Sequence, residues 1–106
     1  MDLTPLSARS LQAFEMYLLA AMYWPGEEIE HAVQVAKLES GWLTASHNQQ
    51  GEDSRGLWQV NVQAHPEYER LNLFDPQINA WCAYQIWIQA RNWRPWLTAA
   101  RKLGLL

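Results

Sequence analysis

The sequence predicts a mainly α domain with a small β part, an α+β fold in which helices pack around a central buried helix. Three observations predict it. Apolar residues recur at helical spacing between residues 27 and 41. Asp75 followed by Pro76 is a strong signal for the start of a further helix. Between these two helices the chain is polar and then briefly apolar, which predicts a short hairpin or extended segment near residues 48–62.

The first two helices are separated by a Pro-Gly pair at residues 25–26. The first is predicted to open with Thr4 as N-cap and Pro5 as first helical residue. Its apolar residues recur at helical spacing and are Leu11, Phe14, Leu18 and Met22. Acidic residues crowd the start of the second helix, where negative charge suits the helix dipole, and this helix is expected to run to Ser40.

The second half of the chain is predicted to contain a loop, the central helix and a short final helix. Residues 44–56 are the most polar stretch and suggest a loop, with a hairpin around Gly51. A short helical turn is expected within residues 67–73. The Asp-Pro helix should extend to about Arg91, and apolar residues cover most of its circumference: Ile78, Trp81, Cys82, Tyr84, Ile86, Trp87 and Ile88. A turn and a final helix over residues 97–103 follow.

Composition limits the classes of function. With 106 residues the chain is long enough for one domain, residues 1–106. A net charge of −3 argues against a nucleic-acid partner, and no apolar run is long enough for stable membrane insertion. Seven Trp are more than a core of this size needs, so two or three are expected to line a ligand groove. Cys82 is expected to be a buried apolar residue.

Neither a metal nor a cofactor is predicted. His31, His47 and His65 show no metal-ligand spacing with one another or with Cys82. The N-terminal residues show no basic segment followed by an apolar one, so no secretory signal is visible.

Glu39 is the candidate that stands out. At 100° per residue it falls between Ala32 and Val35 on the apolar face of the second helix. It also lies in the last turn before Gly41, where the helix dipole is negative and an acid is unfavourable. Both effects disfavour the ionised form and should raise its pKa. Taken alone, such a glutamate is more often ion-paired than catalytic, but a residue that breaks two local rules marks a candidate site.

A second motif follows Glu39-Ser40 after the polar loop. Ser54, Gly56, Leu57 and Gln59 form S-x-G-L-x-Q, in which Gly lets the backbone approach a ligand and Gln offers both a donor and an acceptor.

In order and spacing, these segments resemble the lysozyme-like superfamily, specifically small lytic transglycosylase (SLT-type) and phage lysozyme domains. There a Glu-Ser pair at a helix end precedes a loop and a Gly-Leu-x-Gln-Ile/Val-Asn type segment. LFDPQINA, from Leu73 to Ala80, resembles the capped start of that family's central helix, and NWRPW resembles the Trp-x-Pro-Trp turn of its phage members. Together the segments cover roughly residues 24–97.

The resemblance implies a function and a set of roles. It implies cleavage of the β-1,4 bond between N-acetylmuramic acid and N-acetylglucosamine in peptidoglycan, with Glu39 as general acid and base. Ser40 would steady the helix end or the site rather than attack the substrate. Trp58 would support its segment or stack on a sugar ring. The residues expected to contact substrate are Ser40, Ser54, Gly56, Trp58, Gln59, Asn61 and Asn79.

Two departures from the family leave the second catalytic group open. Bacterial lytic transglycosylases usually carry a Tyr seven positions after the Asn of the central helix, where this chain has Ile86. The loop before Ser54 is about two residues longer than in those enzymes and contains Glu52 and Asp53. Either acid could activate water, which would make the domain a hydrolase suited to inversion. The alternative is that both acids simply solvate the loop.

The sequence therefore predicts a lytic transglycosylase or muramidase that acts on peptidoglycan. The alternative is a non-catalytic glycan-binding or structural module, for example in a phage tail, which the acidic net charge favours because the cell wall is itself anionic. The resemblance also implies a phage context, either in the virion or in a larger tail or lysis assembly. Alternatively, the resemblance implies an enzyme that is released from the host cytoplasm and then acts on the cell wall.

Overall fold

A computed structural model describes residues 9–106. This part of the chain contains four α-helices: α1 (Ala13–Ala21), α2 (Gly26–Ser40), α3 (Pro76–Ala90) and α4 (Leu97–Leu103). Its strands are β1 (His47–Asn48), β2 (Ser54–Arg55) and β3 (Val60–Asn61), and short 3-10 turns cover Pro66–Tyr68 and Arg94–Trp96. The predicted mainly α fold with a small β part is confirmed.

Helix α1 begins later than the sequence suggests. Thr4 and Pro5 lie outside the described residues, but residues 9–12 are described and are not helical. Ser10 instead forms an isolated antiparallel bridge with Leu43, and the Leu11 amide donates to the Trp42 carbonyl at 2.9 Å. Contacts with the segment after α2 therefore hold these residues extended.

The apolar residues of α1 are divided between two faces. Met16, Leu19 and Ala20 are buried, and α1 packs against α2. Of the predicted series, Leu11 is buried just before the helix, whereas Phe14, Leu18 and Met22 are exposed by 62%, 66% and 55%.

Helix α2 follows the sequence prediction closely. Ala32, Val33, Val35 and Ala36 form its buried face. The helix ends at Gly41, which has a φ of +63°, a left-handed conformation that suits glycine, and whose amide donates to the Lys37 carbonyl. This fixed end places Glu39 in the last helical turn.

The three strands form a small antiparallel sheet in the order β1-β2-β3. His47 pairs with Arg55 across β1 and β2, and Ser54 pairs with Asn61 across β2 and β3. The turn between β1 and β2 contains Gly51 with a φ of +76°, so the predicted hairpin is confirmed. The sheet extends from the end of α2 towards α3.

Helix α3 is central but is not enclosed on all sides. Asp75 caps it by accepting hydrogen bonds from the Gln77 and Ile78 amides at 2.9 and 3.0 Å. Its buried residues are Asn79, Ala80, Cys82, Ala83 and Ile86. Trp81 and Ile88 are each 42% exposed on other faces, so the apolar circumference that the sequence suggests is only partly covered.

The core is rich in tryptophan. Trp24, Trp58, Trp93 and Trp96 are all buried, and their rings lie against one another in a chain: the Trp24 ring is 5.2 Å from Trp58 and 5.7 Å from Trp93. Trp42 and Trp87 are half-buried, which leaves Trp81 as the most exposed tryptophan in the described part of the chain. Cys82 is buried as predicted, and burial raises the pKa of its thiol to about 11. Over residues 9–106, no helix combines the length and apolar character needed to cross a membrane.

Candidate active site

Glu39 lies half-buried on the apolar side of α2, one turn after the fully buried residues Val35 and Ala36. Within residues 9–106 its carboxylate accepts no hydrogen bond and makes no ion pair. Lys37, the basic residue of the last turn, lies over the Trp42 ring at 4.4 Å from the ring centre. Among the described residues, Glu39 is therefore an acid without a partner, and it is removed in part from water.

The surroundings of Glu39 favour its protonated form. Burial raises the pKa of this carboxyl above its ordinary value of 4.5, and the negative charge of Glu52 raises it further. The helix dipole adds to both effects, because the last turn of α2 carries partial negative charge. A raised pKa keeps the carboxyl protonated to higher pH than an ordinary glutamate, which suits a proton donor.

Glu52 is the second carboxylate of the site. It lies half-buried in the turn between β1 and β2, close enough to Glu39 for its charge to affect that group. The Ser54 hydroxyl donates a hydrogen bond of 2.5 Å to Oε1 of Glu52. Ser54 is only 2% exposed, so its hydroxyl holds Glu52 in place rather than reaching outward.

Asp53, the other candidate acid, is held by hydrogen bonds from Arg55 and His47. Its Oδ1 lies 2.7 Å from Nε2 of His47 and 2.9 Å from Nε of Arg55, and its Oδ2 lies 2.7 Å from Nη2 of Arg55. These hydrogen bonds hold the pKa of Asp53 well below its usual range. A carboxylate held in this way is a weak base and ties the two strands of the hairpin together.

The turn between β2 and β3, which contains Gly56 and Trp58, is buried and is bonded to Asn79 of α3. The Asn79 amide nitrogen donates to the carbonyls of Arg55 and Leu73 at 2.8 and 2.9 Å, and its oxygen accepts from the Trp58 amide at 2.8 Å. Asn79 and Trp58 are both fully buried. We therefore assign them to support of the turn, not to contact with substrate.

Gly56 is required by this packing. Its φ is +78°, and a Cβ at this position would overlap the Leu73 carbonyl oxygen and the Asn79 amide. Gly56 is buried, so it permits close approach of the protein's own chain, whereas the sequence suggested close approach of a ligand.

Gln59 and Asn61 remain accessible beside this turn. They line a small cavity of about 100 Å³ together with Ile86, already noted from the sequence, and with residues that were not candidate site residues, namely Val60, Ala64, His65, Pro95 and Trp96. Nε2 of Gln59 donates to the carbonyls of Ser46 and Gly56, which stabilises the left-handed backbone of Gln59 itself, φ +49°. Ile86 thus lies in the wall of this cavity, at the position where the resemblance noted from the sequence leads one to expect a tyrosine.

Ser40 serves the helix end. Its hydroxyl donates to the Ala36 carbonyl at 3.1 Å and accepts from the Trp42 amide at the same distance. The expectation that Ser40 steadies the end of the helix agrees with these contacts. No group of three or more His, Cys, Asp or Glu side chains in residues 9–106 could hold a metal ion.

Comparison with known protein families agrees with this geometry. The lysozyme-like domain family matches residues 20–98, which include the end of α2, the sheet and all of α3. The chain belongs to the lysozyme-like domain family. At the level of the family, this membership indicates a glycosidase or lytic transglycosylase activity related to peptidoglycan. Comparison with curated proteins found no match, and neither did comparison with solved structures.

In the structure, the residues singled out from the sequence fall into three groups. Glu39 and Glu52 are close enough for the charge of Glu52 to raise the pKa of Glu39. Gln59 and Asn61 line the small cavity. The remaining residues are buried or bonded to the protein itself: Ser40, Asp53, Ser54, Gly56, Trp58 and Asn79. Arg55 was not singled out from the sequence. An arginine close to two acids in one loop is a signal for an ion pair, and in the structure Arg55 pairs with Asp53 and not with Glu52.

Proposed function

We propose that this domain cleaves the β-1,4 bond between N-acetylmuramic acid and N-acetylglucosamine in peptidoglycan, with Glu39 as general acid. The observation that supports this most directly is the state of Glu39: half-buried, without a donor or cation among the described residues, and with its pKa raised. In the first step the Glu39 carboxyl gives its proton to the glycosidic oxygen while the bond from that oxygen to C1 breaks.

We further propose that Glu52 completes the reaction as general base. Of the two acids in the loop, Glu52 is the one whose charge raises the pKa of Glu39. The Ser54 hydroxyl donates to one carboxylate oxygen of Glu52, and this hydrogen bond does not involve the other oxygen. Glu52 takes a proton from water, and the water oxygen forms the new bond to C1. The products are two glycan ends, one of them reducing, and the proton on Glu52 returns to solvent as Glu39 is reprotonated.

The presence of Ile86 on the cavity wall also favours water as the nucleophile. In the transglycosylase route the ionised Glu39 takes a proton from the 6-hydroxyl of the muramic acid, and O6 bonds to C1 to close an anhydro ring. Related transglycosylases place a tyrosine at this position, whereas Ile86 offers no polar group there.

Mass spectrometry of the fragments released from purified peptidoglycan sacculi tests the proposal. We expect reducing muramic acid ends from the wild-type domain. Fragments lighter by one water, with 1,6-anhydro ends, would reject Glu52 as base and assign the transglycosylase route. Sacculi that sediment with the protein but release no fragments would identify a non-catalytic binding module instead. The phage context stays a prediction from the resemblance.

A further inference from the structure

A second cavity lies beside the start of α3, on the side that carries Trp81. It has a volume of about 460 Å³ and is lined by Tyr23, Leu71, Asp75, Gln77, Ile78 and Trp81. Trp81 follows Asn79 by two positions, which places it about 200° around the helix from the buried Asn79. Neither Glu39 nor Glu52 lines this cavity, so its occupant would not be the sugar that is cleaved. Its volume is in the range of small-ligand sites.

Trp81 gives this cavity a fixed aromatic surface. Four other tryptophans are at most 6% exposed, whereas Trp81 is 42% exposed. The buried ring of Tyr68 packs against Trp81 nearly at a right angle, 81°, with ring centres 6.2 Å apart. Tyr23 adds a second ring, itself stacked on Tyr84 at 6.1 Å. Since these contacts already orient the rings, a ligand would bind them with little loss of side-chain entropy.

Polar groups with spare bonding capacity surround these rings. One oxygen of Asp75 accepts both capping hydrogen bonds at the start of α3. Its other oxygen accepts no hydrogen bond from residues 9–106. The side chain of Gln77 is exposed. The cavity thus combines a carboxylate that accepts hydrogen bonds, an amide that both donates and accepts them, and aromatic faces that make apolar contacts.

This combination selects a neutral sugar. The C–H face of a pyranose ring can lie against the electron-rich face of an indole, while hydroxyl groups donate to a carboxylate. The Asp75 carboxylate disfavours an anionic group inside the cavity itself. An N-acetylglucosamine residue meets these conditions, because it is uncharged and carries both hydroxyl groups and an amide.

We propose that the Trp81 cavity is a second, non-catalytic glycan site that binds N-acetylglucosamine residues of peptidoglycan. The identity of the polymer rests on the proposed function. Binding at this site would hold the domain on the insoluble wall while the Glu39 site cleaves a different stretch of glycan, because a second contact raises the effective concentration of the first.

Sedimentation with purified sacculi tests this site. In the Glu39→Gln background, where cleavage should not consume the sacculi, we expect Trp81→Ala to weaken binding about tenfold and Trp81→Phe to weaken it less. Ile88→Ala is the matched control, since Ile88 is equally exposed on the same helix but lies outside the cavity. Circular dichroism and thermal unfolding verify that each variant folds.

The outcomes separate this proposal from the proposed function. Trp81→Ala binding as well as the parent protein, Ile88→Ala losing as much as Trp81→Ala, or a parent protein that does not sediment with sacculi would each overturn the second site. Loss of binding in Trp81→Ala supports the site even where the wild-type domain releases no fragments, a result that would reject the proposed function alone. On soluble glycan fragments, the cleavage rate of Trp81→Ala should equal that of the wild type.

Discussion

The turn around Gly56 and the carboxylate pair Glu39–Glu52 differ in how fully their polar groups are hydrogen-bonded within the protein. In the turn, every hydrogen-bonding group of the Asn79 amide except one lone pair of its oxygen is engaged by backbone. In the pair, Glu39 has no partner among the described residues and its pKa is raised. The difference indicates that the turn contributes stability and position, whereas the pair keeps bonding capacity for a substrate.

The largest effect on stability should come from Asn79→Asp. The substitution removes two donors and places a carboxylate oxygen against the carbonyls of Arg55 and Leu73, so we expect a loss of about 4 kcal/mol in the free energy of unfolding. Chemical denaturation measures it. Gln77→Glu is the control, because Gln77 makes the same amide-to-acid change at an exposed position on α3. Equal stability of the two variants would contradict the supporting role of Asn79.

Gly56→Ala should lower the free energy of unfolding by about 3 kcal/mol. The added Cβ meets both a left-handed backbone and the atoms of Leu73 and Asn79. Gly51→Ala isolates the two causes, since Gly51 has a similar φ of +76° and nothing within 4 Å of the added Cβ. If Gly51→Ala lowers the unfolding temperature as much as Gly56→Ala does, the close contacts of Gly56 with Leu73 and Asn79 do not contribute to stability.

Glu52→Gln should reduce the rate of sacculus lysis about 100-fold, as loss of a general base does, with little change in stability. Asp53→Asn is the comparison within the same loop, and its rate should stay within a few fold of the wild type, because Asp53 is held by Arg55 and His47. A larger loss of rate in Asp53→Asn than in Glu52→Gln would reverse the assignment of the two acids.

Asp53→Asn should have a smaller effect, confined to stability and dependent on pH. The pKa of Asp53 is lower in the folded protein than its ordinary value of 3.8, so its stabilising effect is present above pH 3.8 and is lost as pH falls through the folded value. Thermal unfolding should therefore show a deficit for the variant at neutral pH that narrows in acid. A deficit that does not change with pH would show that the ion pairs are not its cause.

The sequence is sufficient for features that depend on neighbouring residues. Asp75 and Pro76 start α3 and Gly41 ends α2, because capping requires only the local chain. The position of Glu39 on an apolar face follows from helical periodicity. These local rules place the acid without knowledge of the rest of the fold.

Other features depend on contacts between distant segments and could not be read from the sequence. Ser10 pairs with Leu43, so residues 9–12 are not helical although the sequence places them within the first helix. Asn79 bonds to Arg55 and Trp58, so its polar side chain is buried, whereas the resemblance implied contact with substrate. The exposure of Trp81 is set in the same way, since helical periodicity alone does not distinguish the covered sides of α3 from the open one.

The activity of Glu39→Gln on purified sacculi, measured together with its thermal unfolding, tests the central claim most directly. Because the folded-state pKa of Glu39 is raised, wild-type stability falls as pH rises from 4.5 through that raised value, and the uncharged Gln avoids this loss. We therefore expect the variant to unfold at or above the wild-type temperature at neutral pH while its lysis rate falls by at least about 100-fold. A variant that lyses sacculi at near the wild-type rate would contradict the assignment of Glu39 as the proton donor.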